Sequence, residues 1–331
     1  MRAIVQDVYG PPEVLSLREI DRPVPGHGEV LIRVHAAGLD QGVWHVMAGM
    51  PYMVRLMGFG LRAPKTGVRG TEVAGVVEAV GRDVARFAPG DEVFGVGEGT
   101  FAEYACASEA KLAPKPSNAG FAQAAAVPVS GSTALQALRD TCRLRAGQHV
   151  LVIGAGGGVG SFAVQLAKAY GAEVTGVCSS SKADFVRSLG AGAVIDYTRE
   201  DFADGQRRYD LIVDTAGSRS LAHLRRALAD HGTLAIVGGE WGNRWTGGFG
   251  RQIARAPLLS LFVGQRLRPV MTKENSADLE ELRRAIEAGD VTPAVDRTYP
   301  LSEVPAAIRH LRSGTVRGKL VITNEVGGAA G

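Results

Sequence analysis

The chain has 331 residues, 45% of them hydrophobic and 21% charged, with a formal net charge of +3. At about 150 residues per domain this length predicts two domains, and the composition is that of an ordinary α/β protein. The small charge is spread along the chain with no Lys/Arg-rich block, which excludes nucleic acid and anionic membrane as expected partners.

The first hundred or so residues read as short strands separated by Gly/Pro turns. Met1 to Val5 is strand-like; Val30 to His35 follows Pro25-Gly26-His27-Gly28; Val73 to Val80 precedes Gly81; Asp91 to Gly95 follows Pro89-Gly90. Such spacing predicts an antiparallel, barrel-like β domain. From Phe121 the rhythm becomes βαβ. A helix over 122–138 leads to a strand at 149–153, a helix at 160–170, a strand at 173–177, a helix at 182–189 and a strand at 193–196. Strand 211–214, helix 221–229 and strand 233–237 continue the series. Strands alternating with helices predict a parallel, doubly wound sheet, whose buried strands are continuous apolar runs. After Gly264 the rhythm stops: an amphipathic helix over 276–287, a strand at 298–300, a helix over 304–311 and a strand at 319–323 close the chain, and the small-residue tail from Val326 is expected to fray. The expectation is a Rossmann domain, 121–265, inserted into a β domain made of 1–120 and 266–331.

The strongest motif is LVIGAGGGVGSFAVQLAKAYGA, residues 151–172. A buried strand ends at Ile153, a glycine-rich turn follows, and a helix opens near Gly160. A pyrophosphate needs backbone N–H groups at a helix N-terminus with no side chain in the way. Gly156 or Gly157 permits that approach, and Gly160 lets helix and strand pack closely; both Gly154-x-Gly156 and Ala155-x-Gly157-x-x-Gly160 satisfy the fingerprint. At the end of the second strand, where a carboxylate would select NAD, the chain reads Val177-Cys178-Ser179-Ser180-Ser181-Lys182. Hydroxyls and a cation suit a 2′-phosphate instead, so NADPH is the expected cofactor.

With these residues the chain resembles the medium-chain dehydrogenase/reductases, in particular their zinc-independent, quinone oxidoreductase-like branch. The likeness runs through PGHGEVLIRVHAAG (25–38), GTEVAGVVEAVG (70–81), PGDEVFG (89–95) and FAEYA (101–105). It continues through AAAVPVSGSTALQAL (124–138), the glycine-rich segment, LGAGAVIDY (189–197), DLIVDTAG (210–217) and RGKLVIT (317–323). The segment 44–65 resembles a bacterial subgroup named alcohol dehydrogenase or quinone oxidoreductase. The resemblance implies a GroES-like, partly open β-barrel domain beside the Rossmann domain, and a homodimer. It also implies Thr133 at the nicotinamide or its phosphate, and Gly157, Gly158 and Val159 on the pyrophosphate. Ser179 and Lys182, with Ser180 in the same hydroxyl cluster, would bind the 2′-phosphate and Tyr197 would flank the adenosine. Gly238 would back the nicotinamide, and Arg317 or Lys319 would close over the cofactor.

No metal is expected. Where the zinc-containing branch carries a Cys and a His, this chain has Asp40 and Thr71, and Cys106, Cys142 and Cys178 are too few and too scattered for a structural zinc lobe. Cysteines this sparse, no signal-peptide pattern and no apolar run of roughly 18 residues together predict a cytoplasmic protein.

Without a Lewis acid to polarise a carbonyl, a conjugated acceptor is the natural target for hydride, and the substrate is expected to be small, apolar and conjugated. Candidate catalytic groups are Asp40, standing where quinone reductases of the family carry Asn; His45, a neutral-pH proton donor or a helix-surface or packed structural histidine; and Tyr52. Trp44 reads as a pocket wall, and residues 50–61 as a lid over an apolar substrate or as plain β-domain core. The leading expectation is an NADPH-dependent reductase of quinones or α,β-unsaturated carbonyls. The alternatives are a zinc-independent alcohol dehydrogenase or carbonyl reductase acting on a biosynthetic intermediate, and a non-catalytic NADPH-binding protein.

Overall fold

The computed structural model describes residues 1–238 and 244–324, so the tail beyond Val326 lies outside the described residues. In chain order the first elements are β1 (Arg2–Val5), β2 (Ser16–Glu19), β3 (Glu29–Leu39), α1 (Gln41–Ala48), β4 (Glu72–Val80), β5 (Glu92–Val96), β6 (Tyr104–Ser108), β7 (Leu112–Pro114) and α2 (Phe121–Ala125). Then come α3 (Pro128–Gln136), β8 (His149–Ile153), α4 (Gly158–Ala169), β9 (Glu173–Cys178), α5 (Ala183–Ser188), β10 (Ala193–Asp196), β11 (Tyr209–Asp214), α6 (Leu221–Ala227) and β12 (Leu228–Ile236). The last are α7 (Gly247–Ser260), β13 (Arg266–Pro269), α8 (Ser276–Glu287), β14 (Val295–Pro300), α9 (Val304–Arg312) and β15 (Lys319–Thr323).

The chain divides into two units, one of residues 1–129, 274–289 and those from 293 on, the other of 130–273 and 290–292. The first is the GroES-like unit. Its seven-stranded path runs β14-β15-β3-β4-β5-β7, with β6 pairing β3, and β1 and β2 form a separate antiparallel pair. Inward-facing Ile4, Ile32, Leu39, Met47, Val73, Phe101 and Leu320 fill its core.

The second unit is a Rossmann sheet of six strands in the order β10-β9-β8-β11-β12-β13, every neighbouring pair parallel. The order reverses between β8 and β11, the switch point outside whose carboxyl ends ligands bind in such sheets. Leu151, Ile153, Ile212, Leu234 and Ile236 are buried in its core, as continuous apolar strands covered on both faces must be.

The structure differs from the sequence expectation at both junctions. The helix expected over 122–138 is broken into α2 and α3, and α2 packs on β3 and β4 of the GroES-like unit. Ala124 to Val127 are buried there, an apolar run that reads as Rossmann helix until its partner is known. At the other end β13 pairs with β12, so the parallel sheet gains a strand after the point where the sequence rhythm ends.

Candidate active site

The turn between β8 and α4 is built around its glycines. Gly154 adopts φ +81°, and the N–H groups of Gly154 and Ala155 both donate to Val177 O at 3.1 Å, tying the turn to β9. The Gly157 N–H closes back on Gly154 O at 3.0 Å, and α4 then starts with Gly157 as its N-cap. A Cβ on Gly160 would fall 2.1 Å from Gly154 O, so only glycine lets the helix seat this closely. The N–H groups of Gly158 and Val159 open the helix with no preceding turn to receive them, the arrangement that binds a phosphate. The cradle therefore fits a dinucleotide pyrophosphate, with Gly160 in the close-packing position of the fingerprint.

The second-strand cluster folds onto this turn. A Cβ on Gly156 would lie 2.8 Å from Lys182 Cδ, so the lysine stem passes directly over the glycine loop. The hydroxyls of Ser179 and Ser181 share a hydrogen bond at 3.1 Å. Ser180 is engaged differently: its hydroxyl donates to the carboxylate of Asp196, at the end of β10. Asp196 is a group that the fingerprint does not include; it arrives because β10 pairs in parallel with β9 and sets Asp196 opposite Cys178. Tyr197 follows it, half exposed, its N–H donating to Cys178 O at 3.2 Å.

At the end of β11, Asp214 and Thr215 bind the neighbouring strand ends together. The Thr215 N–H and hydroxyl donate to Ile153 O at 3.1 and 2.8 Å, while Val237 and Gly238 donate to Asp214 O at 2.9 and 3.4 Å. A Cβ on Gly238 would stand 3.0 Å from Thr215 O. The Asp214 carboxylate is fully buried; Oδ1 accepts from the N–H groups of Ala216 and Gly217, and Oδ2 has no partner among the described residues. Burial pushes this carboxyl up to about 6, against the two backbone donors and Arg219. Thr133, buried on α3, shares a hydrogen bond with Thr272 at 3.0 Å between the hydroxyls.

In the GroES-like unit, Asp40 is the N-cap of α1, its Oδ1 accepting from the Val43 N–H at 3.0 Å. His45 lies in the last turn of that helix. Its Nδ1 is 2.8 Å from Met50 O, and since a carbonyl only accepts, Nδ1 carries the proton and Nε2 is the acceptor nitrogen of the neutral ring. Trp44 meets His45 edge-on at 4.9 Å and carries the Arg312 guanidinium over its face at 3.9 Å. Arg55 stacks on both Tyr52 and Tyr9, at 4.9 and 4.5 Å, and donates to Gly49 O. The Tyr9 hydroxyl lies 2.7 Å from Phe59 O and 2.6 Å from Gly60 O, fastening the far end of the same segment. Between these ties Leu56 is 74% and Met57 67% exposed, with Phe59 and Leu61 also exposed, so this stretch is not β-domain core.

Lys319 is not poised over a cofactor here. It is buried on β15, and its ammonium donates to Glu72, which also accepts from the Val129 N–H at 2.8 Å. Burial raises the Glu72 carboxyl above the usual carboxylate range, the Lys319 charge opposing and Asp40 adding to the rise. Of the two C-terminal cations only Arg317, in the turn before β15, is exposed. The pairing was hidden in the sequence because the partners are 247 positions apart. His35 stacks on Phe121 at 4.1 Å. No group of three or more His, Cys, Asp or Glu side chains that could hold a metal ion occurs among the described residues.

Comparison with known proteins agrees with this geometry. The profile of the alcohol dehydrogenase GroES-like domain matches residues 26–117, and that of the zinc-binding dehydrogenases matches residues 189–322. Quinone oxidoreductase of Sus scrofa is 32% identical over 340 residues, covering 97% of each chain. The 2-methylene-furan-3-one reductase of Solanum lycopersicum is 33% identical over 339 residues, covering 97% of this chain and 79% of its own. Among solved structures, the quinone oxidoreductase of Coxiella burnetii matches with a TM-score of 0.85 at 30% identity, over 98% of this chain and 99% of its own. A mycobacterial protein solved with NADPH matches with a TM-score of 0.83 at 28% identity, over 98% and 100%. The glycine cradle, the two-unit fold and these relatives establish the chain as a nicotinamide-dependent oxidoreductase of the medium-chain dehydrogenase/reductase superfamily, in its quinone oxidoreductase-like branch.

Proposed function

We propose that the protein is an NADPH-dependent reductase that transfers hydride to a quinone or an α,β-unsaturated carbonyl. The observation that carries this reading is the cation at the cradle: Lys182 lies across the glycine turn, where a 2′-phosphate on the adenosine ribose would meet it. Bound NADPH supplies the hydride; the chain positions it and stabilises the charge that develops on the acceptor. Gly158 and Val159 hold the pyrophosphate, Ser179 and Lys182 the 2′-phosphate, Tyr197 flanks the adenosine, and Thr133 and Gly238 attend the nicotinamide. Arg317, exposed beside β15, takes the closing role over the cofactor that Lys319 is too deeply paired to fill.

The acceptor classes follow from relatives named quinone oxidoreductase and 2-methylene-furan-3-one reductase, the second name describing a methylene conjugated to a ketone. At the acceptor, His45 is the proton-handling group. Its ring is oriented through Nδ1–H to Met50 O, and an imidazole is a side chain that can both give and take a proton. Asp40 fixes the start of the helix that carries His45, and Tyr52 lines the same segment under Arg55. Exposed Leu56, Met57 and Phe59 suit an apolar, conjugated substrate.

A second copy of the chain is the proposed partner. The outer edge of β13 ends the Rossmann sheet, and Leu258, Leu261 and Phe262 beside it are 63%, 77% and 83% exposed. No helix among the described residues is long and apolar enough to cross a membrane, and the three free thiols suit the reducing cytoplasm.

The test is NADPH oxidation against quinones, enones, enoyl thioesters and aldehydes. Turnover concentrated on quinones and enones is expected. Tight NADPH binding without turnover of any acceptor would refute the reductase reading. Lys182→Ala should weaken NADPH by about 10- to 100-fold and NADH far less, as loss of a charge-assisted contact does. An equal effect on both would refute the cofactor assignment.

A further inference from the structure

The cluster that reads as a 2′-phosphate site contains a carboxylate within hydrogen-bond reach. Asp196 is fixed from several sides. The Thr198 N–H and hydroxyl donate to Oδ1 at 3.0 and 2.7 Å, the Ser180 hydroxyl donates to Oδ2, and Arg199 Nε stands 4.0 Å from Oδ2. The register of β10 against β9 places it opposite Cys178, one residue before Ser179.

The hydroxyl protons can be followed one by one. A serine hydroxyl donates once. Ser180 spends its proton on Asp196, so toward a phosphate it offers only lone pairs, which a phosphate cannot use. Ser179 and Ser181 bond to each other, so one of those two protons is also committed. Toward a 2′-phosphate the cluster therefore presents an ionised carboxylate, whose negative charge opposes the phosphate. A free ribose 2′-hydroxyl, by contrast, can donate to a carboxylate, the contact that favours NADH.

We propose that Asp196 is a specificity-determining residue that holds down the preference for NADPH and sustains use of NADH. This rests on the nicotinamide cofactor lying along the glycine cradle with Lys182 at its 2′-position. Asp196 acts on the 2′-substituent directly by its charge, and indirectly by withdrawing Ser180. The sequence fingerprint misses it because the carboxylate comes from the third strand of the sheet rather than the second.

The experiment is fluorescence titration of the intact protein with NADPH and with NADH, for wild type, Asp196→Asn, Ser180→Ala and Lys182→Ala. Asp196→Asn keeps the shape and an acceptor for Thr198 but removes the charge. It should raise the ratio of NADPH to NADH affinity about tenfold, the size expected of one partly screened charge. Ser180→Ala should leave NADPH affinity within about threefold of wild type, because its proton is already given to Asp196. A purely structural role for Asp196 would change both affinities together and leave the ratio unmoved, which would overturn the proposal. So would a loss of NADPH affinity in Ser180→Ala as large as that in Lys182→Ala. If Lys182→Ala itself leaves the ratio unchanged, the cofactor reading fails. If it lowers the ratio while Asp196→Asn does not raise it, only the role of Asp196 fails.

Discussion

At the glycine-rich turn, space is filled to the limit: a single methyl on Gly160 would meet Gly154 O at 2.1 Å, and the turn is pinned to β9 by two hydrogen bonds to Val177 O. Along residues 50–61 of the other unit the reverse holds. Tyr9 and Arg55 anchor the backbone at a few points, while Leu56 and Met57 project with nothing packed over most of their surface. The cofactor end receives one molecule of fixed shape, so its cradle is preorganised and tolerates little. Exposed apolar side chains of this kind form adaptable surface that contributes little to folding, and the proposed function assigns them to the acceptor.

The largest effect expected lies on the packed side. Lys319→Ala strands the Glu72 carboxylate in the core, and unpairing a buried ion pair costs about 3–5 kcal/mol. Urea unfolding measures this, and a cost below about 1 kcal/mol would show that Lys319 is available to the cofactor after all. Next, Gly160→Ala should cost about 3 kcal/mol, the upper end for overpacking against backbone that cannot move aside. NADPH binding should fall with it. A stable variant with unaltered cofactor affinity would break the contrast between the two regions.

The pH dependence sharpens it further. The Asp214 carboxyl stands at about 6 in the folded chain against an ordinary 3.8, so the folded state holds this proton more tightly than the unfolded state does. Its stabilisation is complete below the ordinary value, is lost as pH rises from there to about 6, and is constant above. The loss is on the order of 3 kcal/mol. Asp214→Asn cannot ionise, so the stability of wild type relative to the variant should decline across that window. Denaturation midpoints from pH 4 to 7.5 test this, and parallel curves would show that Asp214 is not buried as a titrating group. The smallest effect belongs to the open segment: Leu56→Ser should change stability by less than about 0.5 kcal/mol, as exposed positions do. Its KM for an apolar quinone should nevertheless rise, and an unchanged KM would remove this segment from the substrate site.

How much of the site could be read beforehand depends on distance along the chain. The turn from Ile153 to Gly160 is a local object: strand, glycines and helix are consecutive, so spacing alone identifies it. Lys182 was legible for a similar reason, since it follows the second strand of the same βαβ unit. Asp40 was legible as a departure from the family pattern but not as the cap of α1, because the sequence gives no clear start to the helix that carries His45. His45 was singled out by chemistry, and its fixed tautomer depends on Met50 O, which only the folded backbone presents.

The sequence by itself determined the parallel sheet, the glycine cradle with its cation, and the family, because each rests on patterns within a few dozen consecutive residues. Tertiary structure alone decided three things. It set Asp196 beside Ser180, through the register of β10 on β9. It paired Lys319 with Glu72 rather than with a cofactor, through the meeting of β15, β3 and β4. It also assigned α2 to the GroES-like unit, where its alanines find a surface to bury against. In each case the deciding partner is remote in sequence. A charge or an apolar face takes its meaning from what the fold places next to it.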